Sequence, residues 1–308
     1  DTQDGVLICT SEQTIATDRK TYRGPTGSKV HFYSYRDTAM SRTSLFRPEW
    51  ISEHVVHDGV SDLPQWALNK GHFEHQMTYF VGPVNFHWVS KGRKYVRQMN
   101  TGDVNYITPF VPHTFTTRGN EQAVILAVTY GGAIATDPYQ SGIQKLSLDE
   151  YISRSESEMP TINGVLPTDE LGGVIIKHHK DAKVISLGAI TELMGGVPFQ
   201  PHSRAVEYMV ANGRPDLSEI KVGVERWGYN LGDTPVTIEW ASHSARLSPG
   251  DSFFIRPNVA HSLRGTGKVL VMETNPESSI PLEEIALIYR YASKRGLARV
   301  HSENTQWF

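Results

Sequence analysis

Short apolar and aromatic runs alternate with polar turn residues along much of the chain. In the first part the runs cover residues 30–35, 74–81, 84–89, 93–98, 103–107, 114–117 and 122–129, and Gly, Pro, Asn or Asp separates most of them. Short strands at regular spacing predict an all-β sandwich or barrel. Residues 1–30 mix polar residues with glycine and proline, which predicts an irregular lead-in.

A second strand-rich block, from about residue 184 to 273, repeats the first. Residues 102–114 align without a gap to residues 250–262, with six of thirteen positions identical. The identical pairs are Gly102 and Gly250, Asp103 and Asp251, Ile107 and Ile255, Pro109 and Pro257, Val111 and Val259, and His113 and His261. Such a match indicates an internal repeat. Upstream, we match the stretch from His72 to Tyr79 to the stretch from His202 to Tyr208.

The repeat divides the chain into three predicted parts. Residues 1–135 form the first domain, residues 136–183 a connector with a short helix, and residues 184–308 the second domain. Apolar residues at helical spacing between Pro281 and Ala298 predict a helix near the C-terminal end. The predicted fold class is therefore all-β with minor α.

Composition and charge exclude several kinds of partner. The net charge is -3 and no basic patch stands out, so neither nucleic acid nor an anionic membrane is expected as a partner. No apolar run reaches the roughly 18 residues of a transmembrane helix. The single Cys9 excludes an internal disulfide framework and, with no secretory signal in the sequence, predicts a cytoplasmic location.

The stretch from Gly71 to Tyr79 is predicted to be a strand that carries metal ligands. Alternate side chains of a strand point to the same face, so His72, Glu74 and Gln76 form a row. His75 points the other way, and a structural role is expected for it.

A second stretch, which begins at Gly102, ends in His113. His72 in the first stretch and His113 at the end of the second are the predicted histidine ligands of one metal ion. The residues alone leave the third ligand open. Glu74 would supply a conventional carboxylate, whereas Gln76 could coordinate through its amide oxygen without adding charge.

The second copy offers His202, Glu207 and His261. Positions 202 and 207 are an odd number of residues apart, so on a regular strand their side chains face opposite sides. This spacing argues against a second intact metal site. We therefore expect the second domain to be a degenerate copy kept for packing.

A Gly-Asp turn, a strand and Pro-x-x-x-His, following an earlier strand with a histidine, resembles the two-motif layout of the cupin superfamily. The two copies resemble a bicupin. This resemblance implies two tandem double-stranded β-helix (jelly-roll) barrels, plus the C-terminal helix predicted above. It also implies a metal in the barrel mouth, in the layout of the non-haem Fe(II) oxygenases, with open positions for substrate and O2.

Longer segments resemble one group of these enzymes, the family of 2-hydroxyethylphosphonate dioxygenase and methylphosphonate synthase. The segments that carry the resemblance are residues 31–35, 68–74, 81–85, 106–113 and 236–240. The Asn-x-Gly-His-Phe-Glu element at residues 69–74 is fairly specific. The similarity spans most of residues 28–275.

Within this family the two activities differ in the third ligand. The dioxygenase places a Glu six residues before the second histidine, where this chain has Ile107, which cannot bind iron. The synthase uses a Gln four residues after the first histidine, where Gln76 stands. The resemblance therefore implies His72, Gln76 and His113 as ligands of Fe(II). The dioxygenase also has a Glu at the position of Glu74, where it is not a ligand.

The resemblance also implies how the substrate, 2-hydroxyethylphosphonate, is held. In the family, an Asn three residues before the first histidine and a Tyr in the His-Phe-Tyr-x-Tyr strand bind the phosphonate. These match Asn69 and Tyr35, which are the predicted catalytic and substrate-binding residues. The family also uses an Arg near that strand, for which Arg23 and Lys29 are the candidates. A Lys from a neighbouring subunit completes the family's pocket, so a homo-oligomer is expected.

The implied reaction is Fe(II)- and O2-dependent cleavage of the C–C bond of 2-hydroxyethylphosphonate, giving methylphosphonate and CO2. The substrate supplies all four electrons, so no reducing cosubstrate is expected. The nearest alternative is the dioxygenase outcome, hydroxymethylphosphonate and formate, on the same scaffold. A second alternative, from another class, is a non-catalytic bicupin that binds a small ligand.

Overall fold

The computed structural model describes residues 2–41, 44, 47–69, 71, 75–90, 92–107, 111–130, 174–185, 188–197, 200–211 and 220–274. The predicted ligand His72 and its neighbour Glu74 lie outside the described residues. The same holds for the predicted connector helix and the predicted C-terminal helix.

Strands make up most of the described part. The first half contains β1 (Val6–Cys9), helix α1 (Ser11–Ala16), β2 (Arg19–Arg23), β3 (Val30–Asp37), β4 (Arg47–Glu53), β5 (His75–Val81), β6 (Val84–Ser90), β7 (Arg93–Met99), β8 (Val104–Ile107), β9 (His113–Thr117) and β10 (Ala123–Tyr130). The second half contains β11 (Val174–Lys177), β12 (Lys183–Ile185), β13 (Ile190–Val197), β14 (Gln200–Val210), β15 (Glu225–Asn230), β16 (Val236–Trp240), β17 (His243–Leu247), β18 (Ser252–Ile255), β19 (His261–Gly265) and β20 (Gly267–Thr274). Short 3-10 helices stand at Gln65–Ala67 and His179–Asp181. Among the helices that the structure describes, none is long and apolar enough to cross a membrane.

Two barrels of matching topology are built from these strands. In the first barrel a seven-stranded sheet, in the order β11-β8-β5-β10-β4-β3-β2, is combined with a three-stranded sheet, β7-β6-β9. In the second barrel the order β1-β18-β15-β20-β14-β13-β12 is combined with β17-β16-β19. Each strand of one barrel has a counterpart at the same place in the other. The structure therefore contains two copies of one jelly-roll arrangement.

Three buried cores result from the alternation of side chains along these strands. One core fills the first barrel and includes Phe80, and another fills the second barrel and includes Phe253. The third core lies between the two large sheets and draws on both, with Tyr79 from β5 and Trp227 from β15. Successive side chains of a strand point to opposite faces, so β5 directs Phe80 into its barrel and Tyr79 towards the other barrel.

The strand predictions for the first barrel agree with the structure. Predicted and observed ends of β3 and of β5 to β10 differ by at most two residues. The all-β content and the two jelly-roll barrels confirm the predicted fold class. The predicted C-terminal helix is the exception, because it falls outside the described ranges.

The prediction of an irregular lead-in at residues 1–30 is wrong, because β1, α1 and β2 lie there. β1 pairs with β18 of the second barrel, with Val6 opposite Ile255. A partner so distant in sequence leaves no local pattern. Helix α1 begins with a capping box, in which the Thr10 hydroxyl accepts from the Gln13 N–H and the Gln13 side chain accepts from the Thr10 N–H. Its six residues are too few to show a helical period.

β1 and β11 join sheets outside the segments in which the predicted domain boundaries place them. β1 lies within residues 1–135 but belongs to the large sheet of the second barrel. β11 lies within the predicted connector, residues 136–183, but extends the large sheet of the first barrel beside β8. The barrels follow the two sequence repeats, but each large sheet also includes one strand from outside its predicted domain, β11 in the first barrel and β1 in the second.

The contact between the barrels includes a buried hydrogen bond that can be tested. The Tyr79 hydroxyl donates to the Glu207 carboxylate at 2.8 Å, and His179 and Lys268 approach the same carboxylate at 3.1 and 3.4 Å. Tyr79→Phe should lower the free energy of unfolding by about 1–3 kcal/mol, because a buried carboxylate loses a donor. Urea denaturation followed by tryptophan fluorescence measures this change. Tyr22→Phe, at an exposed ring, is the control, and an equal effect of both variants would contradict the prediction.

Candidate metal centre

Gln76 lies on the interior face of β5. Thr78 and Phe80 share this face, and Phe80 belongs to the core of the first barrel. Gln76 is the register partner of Ile107 in β8 and of Thr129 in β10. The Gln76 Nε2 donates to the Thr78 Oγ1 at 2.8 Å, so the amide oxygen faces the opposite way.

His75 faces the core between the barrels instead. Its Nδ1 lies 2.6 Å from the Tyr106 hydroxyl, and the two rings stack with their centroids 5.8 Å apart. The opposite directions of His75 and Gln76 follow from the alternation along β5. This contact agrees with the structural role that the sequence predicts for His75.

His113 begins β9, and the chain just before it orients the imidazole ring. The His113 Nδ1–H donates to the Val111 carbonyl oxygen at 2.8 Å. With the proton held on Nδ1, the Nε2 atom carries the lone pair that a metal ion requires. The ring lies against Phe86 and Phe115 of the first barrel's core. His113 and Gln76 therefore line the same barrel interior.

Asn69 is fixed to the start of β9 by its backbone and its side chain. Its N–H donates to the His113 carbonyl oxygen at 3.0 Å. Its Oδ1 accepts from the backbone N–H of His113 at 2.7 Å and from that of Gly71 at 2.9 Å. Because Oδ1 is committed to the backbone, the Asn69 Nδ2 is the end of the amide that can donate to a ligand.

Arg23 is a buried cation beside these residues. Its Nη1 donates to the Ala67 carbonyl oxygen at 2.6 Å and to the Thr114 Oγ1 at 3.2 Å, and its guanidinium lies over the Tyr33 ring at 5.0 Å from the centroid. Ala67 precedes Asn69 by two residues, and Thr114 follows His113. Among the residues that the structure describes, Arg23 pairs with no carboxylate, and its Nε has no hydrogen-bond partner. A buried charge without a counterion favours an anionic ligand.

The other two predicted substrate-binding residues differ in their placement. The half-buried Tyr35 meets the Tyr33 ring edge-on, with centroids 5.6 Å apart. Burial raises the pKa of Tyr35, and Arg23 opposes this shift, so the hydroxyl remains a hydrogen-bond donor. Lys29 is exposed in the turn between β2 and β3. The structure thus places Arg23, and not Lys29, against the segments that carry Asn69 and His113.

The second barrel corrects the upstream part of the sequence repeat. β14, which contains His202, occupies the place of β4 in the strand order, so matching it to the His72 stretch is wrong. The counterpart of β5 is β15. Arg226 pairs with Ile255 across β15 and β18, as Gln76 pairs with Ile107. Arg226 is therefore the structural equivalent of Gln76.

The Arg226 guanidinium contacts the histidine of the second barrel. Its Nη1 lies 2.8 Å from the His261 Nε2, while the His261 Nδ1 is bonded to the Val259 carbonyl oxygen at 2.9 Å. Burial, and then the charge of Arg226, lowers the pKa of His261 to about 4. The imidazole is therefore neutral at pH 7 and accepts the bond from Arg226.

The remaining contacts of Arg226 complete a buried cluster. Its Nη2 pairs with the Glu273 carboxylate and approaches the Tyr208 hydroxyl at 3.3 Å. Glu207, the carboxylate that the sequence offers in this copy, instead faces Tyr79 of the first barrel. In the second barrel a side-chain cation thus occupies the space in front of the histidine.

Sequence reasoning overlooked two residues of these interiors. Thr78 belongs to the same row as Gln76, so the alternation that selected Gln76 could also have selected Thr78. Arg226 has no comparable signal, because β5 and β15 can be matched only through their places in the strand order.

The fold and this site define a class, a bicupin whose first barrel carries a candidate metal centre with an amide and a histidine directed into the same interior. Within the described ranges, no group of three or more His, Cys, Asp or Glu side chains is placed to hold a metal ion. An amide ligand would not count in such a group, and the predicted ligand His72 lies outside those ranges.

Comparisons with known proteins agree with this class. The chain is 33% identical to methylphosphonate synthase of Nitrosopumilus maritimus (strain SCM1), over 387 aligned positions that cover 100% of this chain and 81% of that protein. The structure of Streptomyces albus HEPD with 2-hydroxyethylphosphonate and Fe(II) bound has a TM-score of 0.71 at 27% identity, over 93% of this chain and 79% of that chain. Oxalate decarboxylase of Lactobacillus farciminis, in a formate complex, shares the fold at a TM-score of 0.53 and 14% identity, over 93% of this chain and 98% of that chain. No family model matches the chain.

At this identity and coverage the chain belongs to the family of methylphosphonate synthase. The resemblance drawn from its sequence motifs is confirmed. The roles of the individual ligand and substrate-binding residues remain predictions.

The buried cluster of the second barrel gives a prediction about stability. Arg226→Ala should lower the free energy of unfolding by about 3–5 kcal/mol, because Glu273 would lose its fully buried partner and keep only the more exposed Arg204, whose Nε lies 3.5 Å away. Arg264→Ala removes an arginine from an exposed pair with Glu239 and should cost less than about 1 kcal/mol. Urea denaturation of both variants measures the difference, and similar costs would show that the buried pair contributes no more than an exposed one.

Proposed function

We propose that this protein is an Fe(II)- and O2-dependent methylphosphonate synthase. His72, Gln76 and His113 hold Fe(II) in the first barrel, and the substrate is 2-hydroxyethylphosphonate. The products are methylphosphonate and CO2. The identity to a methylphosphonate synthase and the likeness to an HEPD structure with this substrate and Fe(II) support the proposal.

One observation carries the choice between the two activities of the family. Gln76 in β5 and Ile107 in β8 are direct register partners, and Ile107 is fully buried. Side chains at opposed positions of neighbouring strands lie about 5 Å apart at Cβ, so either position can serve the same metal site. Ile107 stands where the dioxygenase has its carboxylate ligand, and it cannot coordinate. The amide at residue 76 replaces that ligand from the adjacent strand.

The residues present fit Fe(II) with a chelating anion. His113 offers Nε2 because its other nitrogen is bonded to Val111, and Gln76 offers Oε1 because its nitrogen is bonded to Thr78. Two imidazoles and an amide are all neutral, so they leave the full 2+ charge of the ion for the substrate to balance. The chemistry that Fe(II) supplies when bound is the activation of O2 next to a chelated hydroxyl and phosphonate.

The side chains around this centre suit the phosphonate group. Arg23 is a buried cation with an Nε that no described residue accepts from. Asn69 presents its Nδ2 and Tyr35 a protonated hydroxyl. Charged and neutral N–H and O–H donors of this kind bind phosphonate oxygens by charge-assisted hydrogen bonds. They hold the substrate by its anionic end and direct the hydroxyl-bearing carbon to the metal side.

The overall reaction balances without a cosubstrate. 2-Hydroxyethylphosphonate and O2 give methylphosphonate, CO2 and one water. The C–C bond breaks, the carbon that bore the hydroxyl is oxidised to CO2, one of the electrons it loses stays with the phosphonate carbon, and the four that the substrate loses overall reduce O2. The phosphonate carbon gains one hydrogen and becomes the methyl group.

The second barrel, on this proposal, binds no iron and serves as a packing partner. The Arg226 contact with His261 supports this assignment, since a guanidinium beside Nε2 repels a metal cation. Homo-oligomer formation and a cytoplasmic location remain part of the proposal.

Product analysis tests the proposed reaction. Aerobic turnover of 2-hydroxyethylphosphonate by the Fe(II)-loaded protein should give a methylphosphonate signal in phosphorus NMR, with one CO2 for each molecule formed. Gln76→Ala is the control, and it should yield no more product than the metal-free protein. A hydroxymethylphosphonate signal with formate would replace the proposal by the dioxygenase outcome, and no turnover at all would favour a non-catalytic bicupin.

Substitution of the two candidate cations tests the substrate site. Arg23→Met should raise the KM for 2-hydroxyethylphosphonate about 10- to 100-fold, because a charge-assisted bond to the phosphonate is lost. Lys29→Met, at the exposed turn, is the matched control and should leave KM within about twofold. Steady-state kinetics measure both. A KM that changes with Lys29 and not with Arg23 would reverse the assignment.

A further inference from the structure

Thr78 is the side chain that holds the nitrogen of the Gln76 amide. The Gln76 Nε2 donates to the Thr78 Oγ1 at 2.8 Å, and the two residues stand two positions apart on the interior face of β5. Thr78 is fully buried and Gln76 is buried as well. No rearrangement of the strand is needed to form this bond, because neighbouring side chains on one face of a strand lie within reach of each other.

An amide ligand has an orientation problem that a carboxylate does not have. The oxygen of the Gln side chain has lone pairs for a metal, whereas its NH2 group is only a donor. The two ends are similar in size, so packing contacts do not distinguish them. The Thr78 hydroxyl can accept from the nitrogen or donate to the oxygen. Here it accepts from the nitrogen, and this bond selects the orientation that turns the oxygen away from Thr78. The two oxygens of a Glu carboxylate are equivalent, so a Glu ligand would need no such partner.

The other hydroxyl beside Gln76 does not take this role. Thr129 is the register partner of Gln76 in β10. Its Oγ1 is buried and has no hydrogen-bond partner among the described residues. Ile107, the register partner on the other side, has no polar side-chain atom. The two threonines therefore form a matched pair, one bonded to the amide and one adjacent to it without a bond.

We infer that Thr78 is a positioning residue of the metal centre, which fixes the Gln76 amide with its oxygen towards the metal. This inference rests on the proposed function, because it takes Gln76 as a ligand. Thr78 acts through Gln76 and has no contact with the substrate in this assignment. Its contribution is to Fe(II) affinity, since the ligand is oriented before the metal arrives.

Metal affinity tests the inference without reference to turnover. Thr78→Val keeps the shape of the side chain and removes its acceptor, so it should weaken Fe(II) binding about 10- to 100-fold, as outer partners of metal ligands do. Thr78→Ser retains the hydroxyl and should stay within about threefold of wild type. Thr129→Val is the matched control and should also stay within about threefold. Anaerobic competition against a chromogenic chelator measures the Fe(II) dissociation constants.

A double variant separates positioning from a general effect on the fold. Zn(II) binds such sites more tightly than Fe(II), so it is the probe for the weakened proteins. In a Gln76→Ala background, Thr78→Val should cause no further loss of Zn(II) affinity, because no amide remains to be oriented. An equal loss in both backgrounds, or a loss of the same size in Thr129→Val, would overturn the inference.

The outcomes for Gln76 and Thr78 are distinguishable. If Gln76→Ala weakens metal binding and Thr78→Val does not, Thr78 has no positioning role and the proposed ligand set stands. If Gln76→Ala keeps the wild-type Fe(II) affinity, the proposed ligand set itself fails, and the inference fails with it.

Discussion

The pairing of β5 with β8 is the constraint on which the rest of this structure depends. It sets Gln76 opposite Ile107 on the interior side, and on the other side it places Tyr79 and Tyr106 in the core between the barrels. A shift of one residue in this register would turn Gln76 out of the first barrel and Tyr79 into it. The proposed metal site and the contact between the barrels therefore depend on the register of the same pair of strands.

The two barrels share one strand arrangement but have different residues at one equivalent interior position, 76 in the first barrel and 226 in the second. Both fix a histidine through Nδ1 to the carbonyl two residues earlier, at His113 and at His261. The repeat has an isoleucine at the same place in both copies, Ile107 and Ile255. The residue paired with it is the neutral Gln76 in the first barrel and the cation Arg226 in the second. In the proposed assignment the neutral amide and the histidine of the first barrel bind the same metal ion. In the second barrel the Arg226 guanidinium donates to the lone pair of the His261 Nε2 and pairs with the buried Glu273 carboxylate.

Local patterns were sufficient for most of the first barrel and for the face of β5 on which Gln76 lies, because strand alternation and turn residues act over a few positions. The ungapped repeat also placed His113 and His261 at equivalent positions, which the matching strand orders bear out. Local patterns could not predict which distant strands pair. β1 joins the second barrel, and β15, not β14, is the counterpart of β5. The placement of Arg23, and not Lys29, near Asn69 and His113 likewise depended on the contacts of the Arg23 side chain with Ala67 and Thr114, which are distant in sequence.

Charge explains why the first barrel suits a doubly charged substrate and the second does not. The buried Arg226 has Glu273 as an internal counterion, so its barrel is electrostatically complete. The buried Arg23 has no carboxylate partner among the described residues, and a metal held by neutral ligands would add two more positive charges nearby. Leaving such charges uncompensated in a protein interior is costly. In the proposed assignment a dianionic phosphonate would offset both at once, so substrate binding would also balance the charge of this barrel.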